Sequence, residues 1–573
     1  MENEIDEFAE IRGMHSKWQA KWAKDGVYEA DMDGKQEKKY ITAAFPYPNS
    51  PQHIGHGRTY TVADVYARFL RMKGYNVLFP MAFHVTGTPI VSMARKIKEK
   101  DPELLDIFDR IYGISREKSA TLTEPRELVL YFSNEIENGM KEIGYGIDWR
   151  RKFYTFDAHF NKFIEWQFAK LKQLGYLKIG EHPVPWCPRD NNAVSAHDTK
   201  GDVDPEIEEV TAVKFAFLDG SIMASTYRPE TIFGVTNLWV KPDADYVRAE
   251  CKGEVLFIAE EAAKSLGLQL EMKITDKMKG SSLVGKTAKS PLGREVPILP
   301  ASFVKPSEGT GAVMSVPAHA PYDYLALRDL GKVEEVGLLK IIEIKGYDIP
   351  ARDVVEKLGV KNQDDPLAEE ATKEVYKKEL QAGKLRVDDA EYDGMEVAKA
   401  REKIRARLFS ENTGMPMNII AKGPVFCRCG ERIVVNKVRN QWFIDYLSPE
   451  WKEGARECLS KMELLPERTR DDYLYTIGWL KEKACTRAQG LGTQFPFEKS
   501  QIIESLSDST IYMAYYTIAH MLREMNPEEL DEKFFDYVFY GKGAGSAQAG
   551  KMRENFLYWY PVDSRHSGAD LIR

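Results

Sequence analysis

One segment near the N-terminus constrains the possible folds of this chain more than any other. Residues 39–45 form a short β-prone run that ends in a loop rich in proline. Residues 59–74 then place apolar side chains at helical spacing, and a second β-prone run covers residues 76–80. A strand, a helix and a strand in this order predict two parallel strands with the helix packed against them. The segment therefore favours an α/β fold.

The length and the pattern of the rest of the chain indicate several domains. With 573 residues, and about 150 residues in a typical domain, we expect roughly three or four domains. Residues 7–24 have the spacing of an amphipathic helix, and residues 395–409 are strongly helical. Between about residues 200 and 400 the pattern is that of an inserted α+β domain, in which turns separate short β-like runs: 210–217, 221–226, 255–258 and 295–298.

Composition excludes several classes of protein. The net charge is -8, so any nucleic acid would have to be bound through local basic patches. Six cysteines are too sparse for a secreted disulfide scaffold, which favours the reducing cytoplasm. The acidic N-terminus lacks the pattern of a signal peptide, and no stretch approaches the about 18 apolar residues of a membrane-spanning helix. We expect a cytoplasmic location and no membrane partner.

The first cluster with chemical potential lies where the proline-rich loop meets the predicted helix. It contains two imidazoles and a glycine, His53, Gly55 and His56. A helix N-terminus presents backbone N–H groups and a positive dipole to an anion, and a glycine lets a phosphate approach closely. The spacing also fits an ordinary structural pair of histidines, so by itself it leaves both interpretations open.

Longer stretches of sequence surround this cluster and continue along the chain. They are FPY at 45–47, HIGHGRTYT at 53–61, GYNVLFPMAFHVTGTPI at 74–90, KFIEWQF at 162–168, NQWFIDY at 440–446 and ESLSDSTIYMAYY at 504–516. Together they resemble the class I aminoacyl-tRNA synthetases, most closely the leucine-specific members of archaeal and eukaryotic type. The resemblance implies an α/β, Rossmann-like nucleotide-binding fold, with a parallel sheet incomplete at the C-terminus, split by an inserted α+β, β-rich editing domain.

The resemblance also implies an arrangement of domains along the chain. The ranges that we expect are an N-terminal helical extension at 1–38, the first half of the catalytic domain with the start of a connective region at 39–204, the editing domain at 205–412, and the connective region with a truncated second catalytic half at 413–573.

By this resemblance the chain activates leucine with ATP and Mg²⁺ and transfers it to tRNA(Leu). His53 and His56 would then stabilise the phosphates during attack by the leucine carboxylate, since preorganised donors favour developing negative charge. ATP would also be bound by Gly55, Gly568 and Asp570. The last two lie in a segment that resembles the family's adenosine-binding strand. The implied leucine pocket consists of Phe45, Tyr47, His84, Ser509, Thr510 and Tyr512. Ordinary core packing is the alternative for the aromatic residues.

Two segments of the insert, 226–234 and 309–324, resemble the proofreading domain that the leucine, isoleucine and valine members share. There, an aspartate in the place of Asp323 holds the substrate ammonium and a threonine in the place of Thr231 excludes leucine, while water attacks the ester. Such editing is needed because one methylene discriminates by only about 1 to 3 kcal/mol. The implied editing residues are Thr226, Arg228, Thr231, His319 and Asp323.

Three cysteines form a candidate metal site. Relatives of the isoleucine and valine type hold a structural zinc ion with paired Cys-x-x-Cys segments, and thiolates suit this ion. Here Cys187 stands alone, while Cys427 and Cys429 have a different spacing; the three thiolates and Asp190 could together close a tetrahedral site. Ordinary core or surface thiols are the alternative.

A second family signature, a Lys-Met-Ser-Lys-Ser loop that holds pyrophosphate, is not found where the family has it. The nearest matches, 277–282 and 550–553, lie in other places. We therefore expect a fragment or one part of a split enzyme, whose partner is a complementary C-terminal synthetase chain. The alternatives are a free-standing editing hydrolase with an inactive synthetic half, and a non-catalytic RNA-binding or partner-binding protein. The basic residues at 401–407 fit either an RNA contact or a solvated helix face.

Overall fold

A computed structural model describes residues 2–32, 35–87, 89–488 and 490–560 of the chain. It divides into two compact units. Of the described residues, the first unit comprises 2–32, 35–87, 89–181, 190–192, 439–488 and 490–560, and the second comprises 182–189 and 193–438. Each unit buries its own groups of apolar side chains, so each is described by itself.

The helices of the described residues are, in chain order, α1 (Glu2–Asp25), α2 (Ile54–Met72), α3 (Pro89–Lys98), α4 (Pro102–Asp106), α5 (Arg116–Ser119), α6 (Pro125–Ile143), α7 (Ala158–Gln173), α8 (Glu260–Leu266), α9 (Pro321–Asp329), α10 (Val333–Val336), α11 (Pro350–Leu358), α12 (Leu367–Ala382), α13 (Val397–Ser410), α14 (Pro449–Ser460), α15 (Thr469–Trp479), α16 (Tyr512–Tyr516), α17 (Ala519–Leu522), α18 (Glu532–Phe535) and α19 (Ala547–Trp559).

The strands of the described residues are β1 (Lys38–Tyr40), β2 (Asn76–Leu78), β3 (Leu177–Cys187), β4 (Asn192–Ala193), β5 (Ile207–Phe217), β6 (Gly220–Thr226), β7 (Asn237–Val240), β8 (Asp245–Cys251), β9 (Glu254–Ala259), β10 (Met272–Lys279), β11 (Thr287–Lys289), β12 (Glu295–Pro300), β13 (Ala312–Ser315), β14 (Ile342–Glu343), β15 (Lys384–Leu385), β16 (Gly414–Ile420), β17 (Val434–Asp445), β18 (Glu482–Ala484), β19 (Thr486–Arg487) and β20 (Ile502–Ile503).

The strand, helix and strand predicted near the N-terminus are present in the first unit. Strands β1 and β2 pair in parallel, with Tyr40 opposite Leu78, and α2 connects them. Strand β1 is shorter than the β-prone run at 39–45, because after Ile41 donates to the Leu78 carbonyl at 2.9 Å the chain leaves the pair and enters the proline-rich loop. The parallel pair confirms the α/β interpretation of this segment.

Aromatic side chains dominate the core of the first unit around α7. This helix buries Phe160, Phe163 and Trp166 on one face. The Phe163 ring lies 5.2 Å from that of Tyr515, a residue of α16, which comes more than 300 residues later in the chain. Burial of such large rings contributes about 1.5 to 3 kcal/mol for each side chain. The packing therefore fixes α16 beside the first half of the unit.

A mixed, mostly antiparallel sheet forms the second unit. The strand order is β10-β8-β9-β6-β5-β11-β12-β7-β13, and β16 pairs with β5. The pairs β6–β9 and β7–β12 are parallel. The β-like runs expected at 210–217, 221–226, 255–258 and 295–298 are confirmed as β5, β6, β9 and β12. Strand β16 follows residue 412, the expected end of the insert, and pairs with β5 along its whole length.

Helices α9, α11 and α12 pack together in the second unit around a small apolar group that includes Leu325, Val354 and Val375. Helix α13 confirms the helix expected at 395–409. Among the described residues, no helix is both long enough and apolar enough to span a lipid bilayer.

Candidate functional site

His53 and His56 form the N-terminus of α2 in the first unit. His53 is the extended cap residue, and its Nδ1 accepts from the Gly55 N–H at 3.0 Å. His56 Nδ1 accepts in turn from the His53 N–H at 3.3 Å. Because both Nδ1 atoms accept, each neutral ring carries its proton on Nε2. Burial, and then the neighbouring His53, lower the pKa of His56. Two Nε2–H donors thus accompany the positive end of a 19-residue helix.

Gly55 leaves the space in which the His53 ring lies. A Cβ atom at position 55 would lie 2.8 Å from His53 Cε1, closer than real Cβ atoms come to other atoms. At Gly57, on the same helix, a Cβ atom would meet nothing within 4 Å. The absence of a side chain at position 55 therefore seats the imidazole in its capping position, a role that the sequence did not indicate.

Three of the predicted pocket aromatics and one histidine converge in the first unit. Phe45 lies between His84 and Tyr512, with ring centroids 4.9 Å and 4.0 Å away and both pairs nearly parallel. The Tyr47 ring meets His84 edge-on at 5.8 Å. A bond from the His84 N–H to the Pro46 carbonyl at 3.0 Å fixes the two loops to each other. Three segments of the chain thus build one aromatic wall.

Asp508 lies behind His84 and was not predicted from the sequence. Its carboxylate is fully buried, and Oδ1 accepts from His84 Nε2 at 3.3 Å while Oδ2 accepts from the Thr86 hydroxyl. Burial raises the pKa of Asp508, and the bonds from His84 and Thr86 oppose that rise. The signal in the sequence is an acidic residue inside a run of small hydroxyl side chains before α16. A buried carboxylate thus borders the aromatic wall.

The other residues expected near the pocket are placed as follows. The Ser509 hydroxyl donates to the Ser505 carbonyl at 2.8 Å, and the Thr510 hydroxyl accepts from Gln167 Nε2 at 2.8 Å. Both hydroxyls therefore hold the segment that precedes Tyr512. Gly568 and Asp570 lie outside the described residues.

In the second unit, two threonine hydroxyls stabilise the segment that begins after β6. Thr226 Oγ1 accepts from the Arg228 N–H at 2.9 Å, and Thr231 Oγ1 donates to the Arg228 carbonyl at 2.7 Å. The chain then forms a six-residue 3-10 helix from Pro229 to Gly234. Thr231 is buried. Hydrogen bonds within the segment thus hold it in one conformation.

Asp323 lies in the first turn of α9, where the helix dipole favours a carboxylate. Its Oδ2 accepts from the Val316 N–H at 2.7 Å, and its Oδ1 accepts from Trp239 Nε1 at 2.9 Å. Burial raises the pKa of Asp323 to about 7, although both hydrogen bonds lower it. The arrangement presents a carboxylate that is oriented by two N–H donors and ionises near neutral pH.

A network of buried charges connects Arg228 to residues that the sequence did not single out. Arg228 donates through Nε to Glu230 at 3.1 Å and through Nη2 to Glu379 at 2.5 Å. The other Glu379 oxygen meets Nδ1 of His319 at 2.6 Å, and Arg401 contacts Glu230 at 3.2 Å. Glu379 lies among other charged residues of α12, so the sequence does not distinguish it from acids at the surface.

The three cysteines of the expected metal site come together in the second unit. All three are buried, the Sγ atoms of Cys187 and Cys429 are 3.4 Å apart, and their ligand atoms lie within 4.8 Å of one another. Hydrogen bonds with these two thiols, and then burial, raise the pKa of Cys427. Asp190 belongs to the first unit, where it accepts from Arg95 at 2.7 Å. Three thiols at this separation fit a thiophilic cation.

The basic residues of α13 at 401–407 contact acidic side chains of the second unit. The pairs are Arg401 with Glu230, Lys403 with Glu391, Arg405 with Glu209 and Glu402, and Arg407 with Asp389 and Glu411. Much of the positive charge of this helix face is thus compensated within the unit.

The family model of tRNA synthetases class I (I, L, M and V) matches residues 17–568. "Leucine--tRNA ligase 2" of Metallosphaera sedula is 45% identical over 98% of this chain and 61% of its own length. "Leucine--tRNA ligase" of Methanothermobacter thermautotrophicus is 46% identical over 97% and 61%, respectively. The solved editing domain of the P. knowlesi cytosolic leucyl-tRNA synthetase is 19% identical, with a TM-score of 0.34, over 37% of this chain and 97% of its own.

The family model and the two curated relatives cover nearly all of this chain, while the chain spans about three-fifths of the length of those relatives. The parallel pair of β1 and β2, and the helix α2 that begins at a histidine cap, are consistent with this family match. The chain belongs to the class I tRNA synthetases of the I, L, M and V group.

Proposed function

We propose that this chain carries the amino acid activation site and the editing site of a leucine–tRNA ligase. The observation that carries the proposal is the stack of Phe45 between His84 and Tyr512, with Asp508 behind it. Aromatic walls suit an apolar side chain, and a buried carboxylate suits an ammonium group. An apolar amino acid such as leucine offers both. Relatives at about 45% identity bear the name leucine–tRNA ligase, which supports this choice.

In the activation step, the leucine carboxylate attacks the α-phosphate of ATP, and the bond to pyrophosphate breaks. The Nε2–H groups of His53 and His56 donate to phosphate oxygens at the positive end of α2, where negative charge develops. Mg²⁺, which the family implies, supplies further neutralisation of the phosphates. Gly55 supports this site by seating His53. Gly568 and Asp570 are proposed to bind adenosine, by resemblance alone. Tyr47, Ser509 and Thr510 are proposed to complete the leucine pocket.

The proposed editing site lies in the second unit and would occupy the insert at 205–412. Asp323 would hold the ammonium of a wrongly attached amino acid, Thr231 would exclude leucine, and water would attack the ester. Its support is that Asp323 is oriented by two N–H donors, and that Thr226 and Thr231 both fix the segment around Arg228. Arg228 and His319 belong to the same proposed site.

The proposal includes a structural zinc ion bound by Cys187, Cys427 and Cys429. The close approach of the buried thiols supports it. We expect about one zinc ion for each purified chain by elemental analysis. A content far below one would exclude the ion.

The proposed partners are leucine, ATP, tRNA(Leu) and a complementary C-terminal synthetase chain, and the proposed location is the cytoplasm. The test is leucine-dependent exchange of labelled pyrophosphate into ATP by the purified chain, with isoleucine and valine as controls. We expect exchange with leucine and much less with the controls. A folded protein that hydrolyses mischarged tRNA without any exchange would overturn the activation site and favour the free-standing editing hydrolase.

A further inference from the structure

Glu379 connects the two segments that carry the proposed editing residues. It lies on α12, is fully buried, and uses each carboxylate oxygen for a different partner. Oε2 accepts from Arg228 Nη2, 151 residues earlier in the chain, and Oε1 accepts from His319 Nδ1, 60 residues earlier. We call this pair of contacts, Arg228–Glu379–His319, the Glu379 bridge.

One end of the bridge holds the segment that contains Thr231. The guanidinium of Arg228 contacts Glu379, while its backbone carbonyl accepts from the Thr231 hydroxyl at 2.7 Å. The other end holds the turn between β13 and α9. His319 lies in this turn, in which the Val316 N–H donates to Asp323 at 2.7 Å. The bridge therefore constrains the separation of Thr231 and Asp323.

The pair of Glu379 and His319 has the composition of a hydrolase base with its orienting acid, but its geometry excludes that role. Nε2 of His319 accepts from the Ile341 N–H at 2.9 Å, and His319 is fully buried. Since Nδ1 then donates to Glu379, the ring has no free lone pair that could take a proton from water. The pair therefore fixes the backbone of the segments that it connects. The water that attacks the ester must be activated by other groups.

The charges of the network balance, which explains why it can be buried. Arg228 and Arg401 face Glu230 and Glu379, so two positive charges meet two negative ones. The Arg228 guanidinium also lies 4.5 Å from the ring centroid of Tyr376, one turn before Glu379 on α12. Removal of one buried charge from such a network leaves its partner uncompensated. Arg228 therefore depends on α12 for its position.

We propose that Glu379 is a positioning residue of the editing site, which sets the distance between Thr231 and Asp323 and so determines which aminoacyl group is hydrolysed. This inference rests on the proposed editing function. A substrate amino acid is read at its ammonium by Asp323 and at its side chain by Thr231. Discrimination between leucine and a smaller or differently branched side chain therefore requires that the two segments keep their separation.

The test compares Glu379→Gln with Glu374→Gln. The amide of the first variant can accept from one partner only, and its NH₂ group faces a donor at the other. Glu374 lies on the same helix and pairs at the surface with Lys378 and Lys357. For Glu379→Gln we expect hydrolysis of Ile-tRNA(Leu) to fall about 10- to 100-fold, as small displacements of positioned groups do. We also expect a lower ratio of Ile-tRNA(Leu) to Leu-tRNA(Leu) hydrolysis. Glu374→Gln should leave both quantities unchanged.

Amide hydrogen exchange provides a readout that does not need editing activity. In Glu379→Gln, the amides of Ile341 and Thr231 should exchange faster than in the wild-type chain and in Glu374→Gln. If Glu379→Gln changes neither the exchange of these amides nor the hydrolysis ratio, the bridge is overturned. The editing proposal would still stand if the wild-type chain hydrolyses mischarged tRNA. Faster exchange in Glu379→Gln, found together with a wild-type chain that hydrolyses no mischarged tRNA, would support the bridge as a constraint on the segments but overturn its role in editing.

Discussion

At the scale of single residues, burial gives two carboxylates properties that surface acids lack. Asp323 and Asp508 are both buried, and burial raises the pKa of each. Their donors differ, since Asp323 accepts from two neutral N–H groups and Asp508 from an imidazole and a hydroxyl. Each carboxylate is held in one orientation, which suits recognition of an ammonium group in the proposed sites.

Hydrolysis of mischarged tRNA should depend on pH through Asp323. The pKa of this group is raised to about 7, so below that pH the carboxyl is mostly protonated and cannot attract an ammonium. We therefore expect kcat/KM for deacylation of Ile-tRNA(Leu) to rise with pH and level off above about pH 7. The measurement is a pH series corrected at each pH for spontaneous ester hydrolysis. A corrected profile that is flat across neutral pH would contradict the assignment.

Thr231 has a methyl and a hydroxyl that two variants separate. Thr231→Ser removes the methyl and keeps the donor for the Arg228 carbonyl, whereas Thr231→Ala removes both. If the methyl excludes leucine, both variants should hydrolyse correctly charged Leu-tRNA(Leu), about 10-fold or more faster than wild type. If the hydroxyl matters because it fixes the segment, only Thr231→Ala should do so. Unchanged stability of Leu-tRNA(Leu) in both variants would defeat the exclusion argument.

At the scale of elements, capping hydrogen bonds set the first residue of α2, which the apolar pattern of the sequence does not predict. The apolar spacing predicts a helix from residue 59, but α2 begins at Ile54. Residues 53–58 carry no apolar stripe, and the reciprocal bonds of His53 and His56 start the helix there instead. In the same way, the β-prone run at 39–45 predicts a longer strand than β1. The observed strand is shorter because pairing depends on a neighbouring strand and not on composition alone.

Gly55→Ala should damage this cap, and Gly57→Ala is its control. The new methyl at position 55 would lie 2.8 Å from His53 Cε1, so the ring must move and its bond from the Gly55 N–H is lost. We expect leucine-dependent pyrophosphate exchange to fall by about tenfold or more, since one donor to the phosphates is displaced. Gly57→Ala meets no atom within 4 Å and should keep the exchange rate. Equal rates in the two variants would show that His53 does not act there.

At the scale of the whole molecule, the chain consists of two units with separate cores. Phe160 belongs to the core of the first unit, and Leu325 to a core of the second. The long insertion of one unit between the parts of the other follows from the order of their residues in the chain. Two such cores can lose their structure independently.

Equilibrium unfolding in denaturant should therefore show two transitions. Leu325→Ala should lower the free energy of unfolding of one transition by about 2 to 5 kcal/mol, and Phe160→Ala that of the other by about 3 to 5 kcal/mol. Far-ultraviolet circular dichroism measures both. A single transition that both variants shift alike would show that the two units unfold together.

The sequence by itself determined the elements with a strong period, and its long motifs predicted which residues to group into sites. The strand, helix and strand at the N-terminus, the four strands of the insert and the helix α13 were predicted because short-range spacing produces them. The resemblance of sequence grouped Phe45, His84 and Tyr512 in one implied pocket, and the structure places their rings in a stack.

Only the tertiary structure decided which acids are buried. Asp508 and Glu379 have neighbours in the sequence like those of many surface acids, and their partners lie 60 to more than 400 residues away. Their roles arise when packing removes water from a carboxylate and leaves protein donors in its place. Periodicity does not carry this information, because the free energy of a buried charge depends on groups that are distant in the chain.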